Sequence, residues 1–391
     1  MEEKIKEKKE KIVLRESYPL DSEKLSQFFS QIPTQGLLDM KIRRQIDFFS
    51  LYRRLQLKFH NYVLEEIQDN QAEILGTASF LLQDIIVGGK LTKISYACDL
   101  RISHQRKAVL NWTHHFLPQL ENLINDDKVE HCITSLSLDS SQAINAFIRT
   151  KHKKTKKPFY ELVRKFNLVT IHGFYPLLFK TNPAIKINYL EKKDQPKLIE
   201  FIKEKLKALD LVPAAMSDLE NFIHESLIYS FRNFVVAHDA DNNIVGCCHP
   251  LSSSLLQDYF PQSYNQQANN FRQFLKFVSF FKFGRTLTKP FSRTQKDQTL
   301  NFQFLHFLFF DHPEVLKSMV KFTFDKSRQN EFLIYTFEQS QFNYRPPIGS
   351  INSESPYALY EIRTPDSLED SNKKSLKQKV SKNIWLDGFL F

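Results

Sequence analysis

Gln105, Arg106 and Lys107 stand where a strand-like run, Tyr96 to Ile102, gives way to a helical pattern, Ala108 to Ile124. A strand that feeds a helix through a short turn leaves the first backbone N–H groups of the helix without intrahelical partners, and the helix dipole adds partial positive charge there. Basic side chains at that spot complete an anion site, and phosphate is the anion that suits it. The same residues are about as well explained as a solvated basic turn. A second basic run, Arg149 to Lys157, holds six Lys/Arg in nine residues. It could meet a phosphate or a nucleic acid, but such runs are most often solvated loops, and no aromatic residues interleave it for base stacking. Phe271, Phe274, Phe277 and Phe281 fall at helical spacing with Arg272, Lys276 and Lys282 close by. Such a stripe can lie on a membrane or line a tunnel for an apolar substrate, and most often it is core packing. Cys247-Cys248-His249 has no partner set at zinc spacing and reads as a buried strand. No Gly-x-Ser-x-Gly elbow, Walker loop or dinucleotide fingerprint occurs.

The elements that must position these residues come from a chain of 391 residues, long enough for two domains, with 42% hydrophobic residues to build their cores. Glycine is scarce at 9 residues, which argues against sites built on several glycine-rich loops, and phenylalanine is abundant at 36. A net charge of +10 favours anionic partners. Four unpatterned cysteines make no disulfide framework, so a reduced, cytoplasmic setting is expected. The charged start of the chain is no signal peptide, and no stretch reaches the roughly 18 apolar residues of a membrane span, so a soluble protein is expected.

Along the chain, Ile12–Glu16 reads as a strand, and Asp21-Ser22 as the cap of a helix from Glu23 to Gln31. A second helical pattern covers Leu37 to Leu57, and Phe59 to Glu66 is a strand. Val87-Gly88-Gly89-Lys90 turns a hairpin between the runs Ile74–Gln83 and Leu91–Ile102. Pro118 should kink the next helix or end it early. His131–Leu138, Phe159–Leu162, Leu168–Ile171 and Tyr175–Phe179 follow as strands. After Asn182-Pro183 the order restarts: a strand at Ile185–Leu190, a helix at Gln195–Leu209, and strands at Phe231–Ala237 and Ile244–Cys248. A strand at Phe302–Phe310 leads to a helix opened by Asp311-His312-Pro313-Glu314, then strands at Phe332–Phe337 and Tyr357–Ile362. The apolar end, Asn383 to Phe391, should dock back onto the protein.

The order of hairpin, Asp99-Leu100-Arg101-Ile102 strand end, basic turn, long helix, strand and Ser141-Gln142-Ala143 helix start resembles the GNAT superfamily of N-acetyltransferases. The resemblance implies an α/β fold of two tandem GNAT-like (acyl-CoA N-acyltransferase) domains, each a mixed central sheet flanked by helices. Residues 1–10 would be a charged extension, 11–182 the first domain, 183–365 a diverged second copy, and 366–391 a polar linker with an apolar docking tail. It implies acetyl-CoA, or another acyl-CoA, as co-substrate and no metal. The strand at Leu100, Arg101 and Ile102 would pair with the pantetheine arm. Gln105, Arg106, Lys107, Ala108, Val109 and Leu110 would wrap the pyrophosphate, and Ser141 would open the following helix beside the cofactor. The family's glycines are missing from this turn in every register, and glycine is what lets backbone amides approach phosphate oxygens. In the second copy the corresponding turn carries Asp311 and Glu314, which repel a pyrophosphate.

Direct acyl transfer would need a base, sought at Asp99, Glu65 or Glu66, each of which a salt-bridged or surface role explains as well or better. Tyr160 is the candidate acid for the leaving thiolate. It lies beyond the family's usual position for that role, and a core or cleft-lining tyrosine explains it better. The function implied is acyl-CoA-dependent N-acyl transfer to a small-molecule or peptide amine from a site in the first domain. The alternative is a catalytically silent tandem scaffold that binds a ligand or protein, with nucleic-acid or membrane-surface contact ranked behind both.

Overall fold

The computed structural model describes residues 11–34, 36–69, 71–140, 144–148, 158–290, 298–365 and 374–387. The first half contains β1 (Lys11–Glu16), β2 (Leu38–Arg44), β3 (Lys58–Gln68), β4 (Gln71–Val87), β5 (Lys90–Ile102) and β6 (His131–Ser137), with α1 (Ser22–Gln31), α2 (Ser50–Arg54) and α3 (Arg106–Asp126). β7 (Phe159–Phe174) leads into β8 (Lys186–Tyr189), α4 (Gln195–Lys207), β9 (Leu209–Asp210), β10 (Val212–Pro213), α5 (Leu219–Glu225), β11 (Val235–His238) and β12 (Ile244–Ser252). Then come β13 (Gln257–Tyr264), α6 (Gln266–Phe280), β14 (Asn301–Phe310), α7 (Pro313–Lys326), β15 (Glu331–Glu338), β16 (Ser350–Arg363), α8 (Leu376–Lys379) and β17 (Asn383–Ile384).

One mixed sheet runs through the molecule in the order β1-β3-β4-β5-β6-β16-β7-β15-β14-β12-β11-β8. In it β5–β6 and β14–β15 pair in parallel, bridged by α3 and α7. The β4–β5 hairpin closes on Gly88 and Gly89, whose φ values of 55° and 76° suit a two-residue turn. Apolar residues packed beneath α1 and α2 include Phe29, Phe48, Tyr52 and Tyr96; beneath α3 they include Leu64, Phe80, Trp112 and Leu120. In the second half α7 covers one core and α4 with α5 another.

The halves trade strands at the middle of the sheet. β7 follows β6 in the chain but lies beside β15, and β16 follows β15 but lies beside β6. A boundary after residue 182 would not divide the sheet, because residues 350–363 pair with β6 and β7. The two halves also repeat in register. Gly76 pairs with Ile102 and Ser79 with Cys98; Gly246 pairs with Phe310 and His249 with His306, at the same intervals.

Several expectations are corrected. Leu37–Leu57 is not a helix. Leu38, Met40 and Ile42 alternate onto the Tyr259–Phe302–Phe304 cluster as β2 pairs with β13, and only residues 50–54 are helical. This is tertiary pairing overriding a helical spacing. Residues 159–174 form one strand, and Tyr175–Phe179 is a turn beyond it. α3 continues past Pro118 to Asp126. Asp21 stands at the N-cap of α1 but its carboxylate is taken by Arg15 and the Tyr18 N–H. The stripe of α6 divides: Phe271 packs with the buried Leu275 and Val278, whereas Phe277 is 65% exposed and the neighbouring Phe280 82%. Residues 383–387 of the apolar end dock, with Trp385 and Leu386 buried and β17 paired to β9, while residues 388–391 lie outside the described residues. Ser141, the whole Arg149–Lys157 run and residues 1–10 lie outside the described residues.

Candidate active site at the parting of two strands

β5 and β6 pair only from Ile94 to Tyr96, opposite His131 to Ile133, and then separate. The cause lies on the other edge of β5. Asp99 and Leu100 together oppose the single residue Ala78 of β4, a bulge in which Asp99 takes φ 56°. Aspartate tolerates this left-handed backbone better than most residues. Beyond the bulge β5 turns its residues to alternate faces, with Asp99 and Arg101 toward α1 and α2, and Leu100 and Ile102 toward α3. Gly76 allows α3 this close: a side chain there would meet Trp112 at 3.1 Å.

On the α1–α2 face a polar cluster is sunk among aromatic rings. The Asp99 carboxylate accepts hydrogen bonds from Arg44 Nη2 and the Tyr52 hydroxyl, both at Oδ2. Tyr52 also meets Ser79 Oγ at 2.6 Å, and Asn61 donates to Ser79 Oγ at 2.8 Å and Thr77 Oγ1 at 3.0 Å. Arg101 donates from Nη1 to the Leu100 carbonyl at 2.9 Å and lies 4.6 Å from the centre of the Phe29 ring. Arg44 lies 5.5 Å from the centre of that same ring. Burial lowers the Arg101 pKa and raises those of Tyr52 and Cys98, the last two helped by the Asp99 charge. A thiol held protonated this way is a poor nucleophile.

On the opposite face Gln105 stands at the N-cap of α3, with the Ser103 N–H bonded to Leu75 O at 2.8 Å. Gln105, Arg106, Val109 and Leu110 are exposed, and Ala108 is fully buried against the sheet. The branched side chains at 109 and 110 thus point to solvent, which is why the helix start forms without the glycines. Lys107 pairs with the buried Glu66 at 2.5 Å. Glu65 is held by Arg15 through two hydrogen bonds of 2.9 and 2.8 Å. Tyr160, on β7, packs with Leu100, Ile102 and Trp112 under α3, and burial keeps its hydroxyl protonated. The structure therefore gathers Asp99, Leu100, Arg101 and Ile102 at the opening, with Tyr160 and Ala108 packed behind. It ties Glu65 and Glu66 to separate cations. Arg44 and Tyr52 escape a reading of the sequence, because the stretch that carries both has a helical spacing.

No protein-family model matches the chain, and no curated protein matches it significantly. Its likenesses are to solved structures. The N-myristoyltransferase of Saccharomyces cerevisiae with bound myristoyl-CoA superposes with TM-score 0.51 at 10% identity, over 96% of this chain and 89% of that one. The same enzyme with myristoyl-CoA and inhibitors gives 0.53 at 12% identity, over 96% and 86%. The GCN5-related glucosamine N-acetyltransferase region of a fungal multi-domain β-N-acetylglucosaminidase gives 0.53 at 9% identity, over 90% of this chain and 38% of that one. At these identities the likeness is one of fold, and the fold is GNAT-type. Its two tandem GNAT-like halves share one mixed sheet flanked by helices, and N-myristoyltransferase matches it along nearly the whole chain. Among the described residues no helix is long and apolar enough to cross a membrane, and no group of three or more His, Cys, Asp or Glu is placed to hold a metal.

Proposed function

We propose that this protein transfers an acyl group from acyl-CoA, acetyl-CoA in the simplest case, to an amine at the opening between β5 and β6. The observation that carries the proposal is the parting of two parallel strands at a bulge beside the N-terminus of a long helix. Such an opening gives an extended thioester arm a strand edge to pair with, and gives its phosphates a helix start. Solved structures of the same fold with bound myristoyl-CoA support an acyl-CoA as donor.

In this scheme the amine nitrogen attacks the thioester carbonyl carbon and the C–S bond breaks. Backbone N–H groups at Leu100 to Ile102 hold the carbonyl oxygen as it gains charge. Asp99 takes the amine proton at Oδ1, since its protein donors Arg44, Tyr52 and Cys98 all use Oδ2. Tyr160 returns a proton to the leaving thiolate. Gln105, Arg106 and Lys107 face the phosphates, with Ala108, Val109 and Leu110 forming the helix start behind them and Ser141 expected nearby.

Calorimetry and thermal shift against acetyl-CoA, longer acyl-CoAs and free CoA test this directly. Micromolar binding that depends on the acyl group is expected, weakened about tenfold or more by Arg106→Glu, an exposed position where reversal leaves the core intact. The absence of binding to any of them would favour a silent scaffold instead, a reading that the glycine-free turn supports.

A further inference from the structure

Resting on that proposal, we infer that the acyl acceptor is a small amine bearing a carboxylate close to its amino group, the chemistry of an amino acid, recognised by Arg44, Arg101 and Asp99. Two guanidinium groups and one carboxylate share this cluster. Arg44 has a side chain 1% exposed, and its Nε and Nη1 have no hydrogen-bond partner among the described residues; the buried Nε of Arg101 has none among them either. Both guanidiniums lie against the Phe29 ring, so neither can turn toward a second acid without leaving it. The other carboxylates nearby are already committed, Glu65 to Arg15 and Asp258 to Arg43.

Holding the buried Arg44 and the half-buried Arg101 against one carboxylate is costly, and removing a charge from water is compensated only by a partner with matched hydrogen bonds. The cluster therefore lacks one negative group. It also lies on the α1–α2 side of the sheet, opposite the α3 turn proposed for the phosphates. An anion entering from this side meets the donor across the gap between β5 and β6 instead of competing with it.

Charge and geometry select the class of ligand. A carboxylate suits planar guanidinium donors, whereas an ammonium suits the unused Oδ1 of Asp99. Cation and anion receptors that adjoin in one site fit a molecule whose amine and carboxylate are separated by a bond or a few bonds. A peptide acceptor, whose N-terminal amine is followed by an amide, does not offer this pair. Arg44 and Arg101 are specificity-determining residues here, and Asp99 is the group that receives the proton.

The test uses the full-length protein with acetyl-CoA, following CoA thiol release. Acceptors are offered in matched sets: free amino acids, their α-amides, their decarboxylated amines, and a short C-terminally amidated peptide. The free acids should exceed their amides and amines by at least about tenfold in kcat/KM. Arg101→Gln should erase that preference by raising KM for the acids, with a cooperative thermal transition like that of the parent as the check on folding. Arg101→Lys, which keeps the charge, should restore part of it. Equal or better turnover of amides, amines or peptide by the parent protein would overturn the inference. If acetyl-CoA does not bind at all, the acyltransferase proposal fails separately, and the carboxylate site is then read alone. Phenylalanine should raise the melting temperature of the parent protein and phenethylamine should not, a difference absent in Arg101→Gln; an equal effect of the two would again overturn it.

Discussion

The same backbone device occurs twice in this molecule, and its two copies are lined in opposite ways. In the first half β5 leaves β6 after Tyr96 and bulges at Asp99; in the second β14 leaves β15 after Phe304 and bulges at Phe307, with φ 51°. Counting from the paired glycines, Asp99 corresponds to Phe307, Arg101 to Phe309, Cys98 to His306 and Ser79 to His249. The charged pair of the first opening has become a pair of phenyl rings. Phe307 and Phe309 pack on Trp385 from the C-terminal tail, at 5.2 and 5.8 Å between ring centres. The Phe307 N–H, at the place corresponding to Asp99 and next to the counterparts of the amides proposed to hold a thioester oxygen, donates to Asp387 Oδ2 at 2.7 Å. One opening keeps unmet polar groups and reaches solvent; the other is filled by the chain's own end. The second copy serves as core and as partner for the strands it exchanges.

If the first opening is held by a charged cluster and the second by packing, their responses to substitution should differ most at Arg44. Arg44→Met leaves Asp99 buried without its cation and should cost about 3–5 kcal/mol in urea unfolding. Adding Asp99→Asn to the same chain should return most of that loss. A single-mutant cost under about 1 kcal/mol would mean that the pair is solvated and the cluster is not the buried site described.

The next contrast uses the two equivalent glycines. A Cβ on Gly246 would come 2.5 Å from Val315 Cγ1, whereas one on Gly76 would come 3.1 Å from the Trp112 ring. Valine is stiff at χ1, so α7 itself has to move. Gly246→Ala should cost about 1–3 kcal/mol and Gly76→Ala less. The reverse order in thermal unfolding would place the tighter helix–sheet contact in the first half.

What the sequence disclosed of this arrangement follows from where each signal is stored. The β4–β5 hairpin is legible because Gly88-Gly89 and the alternating strands beside it are local. The strand nature of Leu38–Arg44 is not, since it is fixed by β13 far along the chain, and the mistaken helix concealed Arg44 and Tyr52 with it. The order of elements reveals the tandem build, yet the residue correspondence escapes notice: Gly76-Thr77-Ala78-Ser79 and Gly246-Cys247-Cys248-His249 share only the glycine. The exchange of β7 and β16 leaves no local mark at all, because each strand reads the same whichever half it completes. Glu65 and Glu66 show the limit of reading chemistry from residue type, since only their neighbours in space reveal that Arg15 and Lys107 already hold them.

The smallest expected effect concerns the closure of the second opening. Burial pushes the Asp387 carboxyl up to about 7 from its ordinary 3.8, against the lowering effect of the Phe307 N–H. A carboxyl whose folded pKa lies above its unfolded one binds more protons in the native state between those values. Its contribution to stability is therefore complete below about pH 4 and is lost as the pH rises toward 7. Asp387→Asn cannot titrate, so the stability of the parent protein minus that of the variant should fall steadily from pH 4.5 to 7.5. Measuring the difference cancels the titration of every other group that the substitution leaves undisturbed. A difference that rises with pH would mean that the ionised carboxylate is the better partner for the amide. A flat one would mean that water reaches Asp387, and the second opening would then be as accessible as the first.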